Sequence, residues 1–180
     1  MRGYKSKNQL LISFLVVGFF IGVIYENVVA KNQVITTDIF LKSNLQRYLQ
    51  TDVIAEKYSW YVLKERIFIL LMLGILSCMK WKKIFVVMCL SVIGFFSGVF
   101  CVAAILQLGI KGILICVAGA LPQALFYGFM YGMLFVYWFW FPERKWNHTK
   151  TIFLFALLII GILLEIYVNP IVVKFVIRFL

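Results

Sequence analysis

The chain has 180 residues, 64% of them hydrophobic and 14% charged, with a mean hydropathy of +0.99. Soluble domains average about 45–50% apolar and about 25% charged residues, which excludes a water-soluble globular domain. Much of the net charge of +11 falls in short loops beside apolar runs. There it sets membrane orientation and meets anionic head groups, and no basic stripe points to nucleic acid.

The first apolar segment runs from about Leu10 to Tyr25, behind Arg2, Lys5 and Lys7. It reads as an uncleaved span, because Val28-Val29-Ala30 is a poor cleavage site and Glu26 intrudes. Its Gly18 and Gly22 form a GxxxG face suited to close helix packing. Residues 26–60 read as an external amphipathic segment. Within it Asp38 can cap a short helix in which Leu41, Leu45, Tyr48 and Leu49 share one face, the face expected to meet partners. Thr51-Asp52 resembles a second cap, opening a helix directed toward the membrane.

The next continuous run, Ile67 to Met79, is 13 residues, or about 20 Å of helix against a bilayer core of about 30 Å. Two readings stay open. Trp60-Tyr61-Val62-Leu63 helps to make a span of about 61–79, leaving Lys64, Glu65 and Arg66 to snorkel or pair near the interface; or the bilayer thins around a short helix. The third span covers about 84–108 and carries Gly94 and Gly98. The fourth, about 112–141, belongs to a run of about 48 Å if straight. Pro122 predicts a kink within it, freeing a backbone carbonyl. Gly128 and Gly132 follow as a third GxxxG, and Tyr137 to Phe141 form an aromatic belt. The fifth span, about 151–170, is expected to end at Asn169-Pro170. Beyond it lies a tail whose Lys174 and Arg178 share one face and which lies in the interface or extends the span.

Basic clusters at Arg2/Lys5/Lys7, Lys80/Lys82/Lys83 and Arg144/Lys145/Lys150 all fall on one side if there are five spans. This gives a cytoplasmic N-terminus and an external C-terminus. The predicted fold is therefore an all-α polytopic membrane protein, a single membrane domain over residues 1–180. Continuous apolar runs without polar alternation exclude a β-barrel.

Chemistry has few candidates. Cys78, Cys89, Cys101 and Cys116 lie in or at the edge of apolar runs, and the single histidine, His148, is in a loop, so no metal site and no cofactor are expected. No nucleophile triad, HExxH, paired carboxylates or P-loop is present, and no enzyme is expected. Glu165 stands out, because a lone carboxylate at membrane depth costs roughly 2.5–3.5 kcal/mol and calls for a partner. Counted from the cytoplasmic loops, Gln123 lies about 27 Å deep and Glu165 about 21 Å. The expected partner of a neutral Glu165 is thus Gln123 or the carbonyl freed by Pro122. The alternative is that Glu165 snorkels outward near Tyr167 and Asn169.

Two stretches, Ala120-Leu121-Pro122-Gln123-Ala124-Leu125-Phe126-Tyr127 and Leu164-Glu165-Ile166-Tyr167-Val168-Asn169-Pro170, resemble the signature segments of the stage II sporulation protein M family. The predicted outline is similar too. Gln123 and Tyr127 stand where many members carry a histidine and a glutamate; Glu165 and Pro170 are kept. The resemblance implies a non-enzymatic scaffold in the mother-cell septal or engulfing membrane of a bacterium. It would localise or activate membrane-anchored cell-wall hydrolases, an amidase and a lytic transglycosylase, during forespore engulfment. Besides lipid and these hydrolases, a second copy of the chain is a candidate partner for the small-residue faces. The rival reading is a small transporter or permease subunit with Glu165 and the Pro122 kink in a solute or proton path.

Overall fold

A computed structural model of the chain describes residues 2–30, 42–50, 56–77, 80–142 and 146–179. Helix α1 (Arg2–Tyr25) continues into a π-helical turn, Glu26–Ala30. A short α2 (Lys42–Gln50) and then α3 (Glu56–Ser77), α4 (Lys82–Leu108) and α5 (Ile110–Phe139) follow. The last helix is α6 (His148–Leu163), a π-helical segment Leu164–Val168, and α7 (Asn169–Phe179). No strand occurs among the described residues. The protein is all-α, and four of its helices are long and apolar enough to cross a membrane: Gln9–Val29, Lys82–Leu108, Ile110–Phe139 and His148–Phe179. The sequence reading expects a further span at 61–79. Helix α3, with 22 residues, is about 33 Å long, but Glu56, Lys57, Lys64, Glu65 and Arg66 set it apart from those four.

Two compact units divide the chain. The first holds α1, α4 and α5 as far as Cys116; the second holds α3, α5 from Val117, α6 and α7. In the first unit α1 and α4 run parallel, glycine against backbone. A Cβ at Gly18 would collide with Ser91, and one at Gly22 with Phe95. A Cβ at Gly94 would strike Leu15 and Phe19, and one at Gly98 Phe19 and Val23. Two GxxxG pairs thus form one seam, and only glycine permits that approach. Gly109, at φ 64°, closes the single-residue turn between α4 and α5. Its N–H donates to Ile105 O at 2.8 Å, a left-handed C-cap that favours glycine.

In the second unit the core joins Val62 of α3, Tyr127 and Met130 of α5, and Leu154, Leu157, Leu158, Ile162 and Ile166 of the last helix. Facing residues such as Leu125, Phe129, Ile152 and Ile159 are as apolar as these and are exposed, as expected where the solvent is lipid. Helix α5 continues through Pro122.

Pro170 does not end the last helix, which runs on to Phe179 with Pro170 buried inside it. Proline lacks an N–H, and its ring crowds the carbonyl four residues back. The π-helical turn over Leu164–Val168 lies directly upstream, where the wider i→i+5 register can absorb that mismatch. The tail is therefore helical over its described length.

Candidate functional site

On α3, Tyr58, Val62, Arg66, Leu70 and Leu73 recur at helical spacing. Val62 and Leu73 are buried, Arg66 is half-buried, and the adjacent Lys64 and Glu65 point to the exposed side. Helix geometry thus carries Arg66 onto the packed face. On the last helix the spacing Leu158, Ile162, Glu165/Ile166 does the same for Glu165.

The two meet. Arg66 Nε donates to Glu165 Oε2 at 2.8 Å and Nη2 to Oε1 at 2.5 Å, a bidentate fork. Tyr127 of α5 donates its hydroxyl to Glu165 Oε2 at 2.7 Å, and the guanidinium carbon lies 4.7 Å from the centre of the Tyr127 ring. The side chains of Arg66 and Glu165 are 26% and 12% exposed. Charge-assisted forks of this kind are the stronger hydrogen bonds, and the stacked ring adds a cation–π contact.

Gly161 makes room for this. A Cβ there would stand 2.5 Å from Tyr127 Cε1, so glycine lets the ring lie flat against α6 with its hydroxyl directed at Glu165. Tyr131 lies beside Tyr127, centroids 6.3 Å apart. Three helices are tied at one carboxylate, which accepts from Arg66 and Tyr127.

This corrects the expected partnership. Gln123 is buried, but its Nε2 donates to Gly119 O at 2.6 Å, within its own helix. Neither Gln123 nor the carbonyl freed by Pro122 holds Glu165; Arg66 and Tyr127 do. The described residues give Gln123 Oε1, Tyr131 Oη and Asn169 Oδ1 no hydrogen-bond partner, though all three are buried. Pro170 is buried, and Asn169 is half-buried.

The remaining candidates are placed as follows. Gly18, Gly22, Gly94 and Gly98 pack against one another's helices, whereas a Cβ at Gly128 or Gly132 would meet nothing within 4 Å. Leu45, Tyr48 and Leu49 of α2 are half-buried while Gln46, Arg47 and Gln50 are exposed; Leu41 lies outside the described residues. Burial and the neighbouring Tyr58 push the Tyr48 phenol up. Among the described residues no group of three or more His, Cys, Asp or Glu side chains is placed to hold a metal ion.

Arg66 and Gly161 are the members that reasoning from sequence missed. For Arg66 no periodicity was available, because Lys64, Glu65 and Arg66 are consecutive; for Gly161 the signal was only the distance of four residues to Glu165.

No family model matches the chain, and neither a curated protein nor a solved structure does so.

Proposed function

We propose that the chain is a non-enzymatic, five-span membrane scaffold that localises or activates peptidoglycan hydrolases during forespore engulfment. One observation carries the reading: the two stretches behind the family resemblance, Ala120–Tyr127 and Leu164–Pro170, are joined through Tyr127 and Glu165. Both Glu165 oxygens are engaged by fixed donors. A carboxylate so saturated suits a fastener between helices.

Two features support the fifth span and the orientation. Helices α1 and α4 are parallel neighbours, so a chain that leaves the far end of α1 must cross back before α4 begins. Helix α3 is the described helix long enough to do so. Its charge is reduced there, since Arg66 is paired. Lys82 Nζ also lies 4.1 Å from the centre of the Phe141 ring, which supports putting the two basic loops after α3 and α5 on one side. That side is cytoplasmic by the positive-inside rule, with the N-terminus on it and the C-terminus external.

The test is co-purification from detergent-solubilised membranes of cells making the amidase and the transglycosylase. The wild-type chain should retain both, and a chain lacking residues 31–50 should lose them while still inserting. Retention of neither by the wild type would overturn the scaffold reading. The second reading, a transport path, is favoured by the buried, unpartnered Gln123 Oε1. It requires a cysteine at position 123 to react with water-soluble thiol reagents, and the scaffold requires that cysteine to be inert.

A further inference from the structure

Gly128 and Gly132 differ from the other GxxxG glycines in having open space before them. They form the floor of a groove of about 340 Å³, walled by Val136 and Tyr137 of α5 and by Trp146, Lys150 and Phe153 at the start of α6. From Gly128 to Tyr137 the groove follows α5 for about 13 Å, close to the depth of one leaflet of a bilayer core of about 30 Å. Its interior is apolar.

Its mouth is positive and held in place. Trp146 Nε1 donates to Thr151 Oγ1 at 2.7 Å, and the indole packs on Tyr137 with centroids 4.7 Å apart. Lys150 lines the groove in the first turn of α6, a turn with no acidic residue. The N-cap Asn147 makes no side-chain capping bond. The positive end of the helix macrodipole therefore adds to the lysine.

We propose that this groove binds an acidic phospholipid of the cytoplasmic leaflet. One acyl chain lies over Gly128 and Gly132, and the phosphate sits at Lys150 and the amino end of α6. Charge complementarity selects the lipid: an acidic head group offers Lys150 an anion, whereas a second copy of this chain carries a net charge of +11. The proposal rests on the membrane orientation given above, and the loop carrying Lys150 can be located independently by a topology reporter.

The experiment uses the full chain in phosphatidylcholine vesicles containing spin-labelled lipid. The motionally restricted fraction of labelled phosphatidylglycerol should exceed that of labelled phosphatidylcholine by about 5-fold, the effect of one basic residue worth about 1 kcal/mol. Lys150→Gln should bring the ratio near unity. Gly132→Leu should reduce the number of restricted lipids per chain for either headgroup without changing the mass of the particle. Equal restriction of both lipids by the wild type, or selectivity that survives Lys150→Gln, would overturn the site. A fall in particle mass with Gly132→Leu would show instead that a second copy occupies the groove.

Discussion

At the scale of single residues, Arg66 and Glu165 stand or fall together. Removing one member of a buried ion pair leaves an uncompensated charge and costs about 3–5 kcal/mol, whereas replacing both with apolar residues of similar volume is often near neutral. Arg66 and Glu165 are partly buried, 26% and 12% exposed, so Arg66→Met or Glu165→Gln alone should destabilise the second unit by less, about 1.5–3 kcal/mol, and the Arg66→Met/Glu165→Met double variant should recover most of it. Tyr127→Phe, which removes one hydrogen bond to a charged group, should cost about 1.5–3 kcal/mol. Thermal unfolding in detergent micelles reads all four; a double variant no more stable than the singles would refute the coupling. Glu165 was legible because it interrupts an apolar run. Its partner was not, since Lys64, Glu65 and Arg66 are consecutive in a helix apolar on every side, and no periodicity says which turns inward. Depth counting points to Tyr127 rather than Gln123: from Phe141, Tyr127 is about 21 Å down, level with Glu165.

Among helices, the same motif has two fates. Gly94 and Gly98 hold α4 against α1, so Gly98→Leu must force two backbones apart and should cost about 1–3 kcal/mol or more. Gly128→Leu enters open space and should change stability by no more than about 0.5 kcal/mol. Paired melting curves of the two variants check this, and equal losses would contradict the distinction. Sequence shows each GxxxG but not its partner, because the pattern encodes close approach without naming what approaches. The long helices were legible from hydropathy. The continuation through Pro170 was not, because the π-helical turn that tolerates it has no local sequence signature.

For the whole molecule, the parallel pairing of α1 and α4 constrains topology more tightly than composition does. A fusion of alkaline phosphatase, active only outside the cytoplasm, should be active at Gly109 and at the C-terminus, and inactive at Trp81 and Asn147. Activity at Trp81 would mean that α3 does not cross. In the five-span arrangement proposed above, α3 would wait for its counter-charge. Arg66 and Glu165 are 99 residues apart in the chain, which at about 5–20 residues per second corresponds to roughly 5–20 s of synthesis. Through that interval α3 carries an unmatched guanidinium with its eventual partner still unmade. In that five-span arrangement, α3 is thus expected to stay at the insertion machinery, or at the membrane surface, until the last helix emerges.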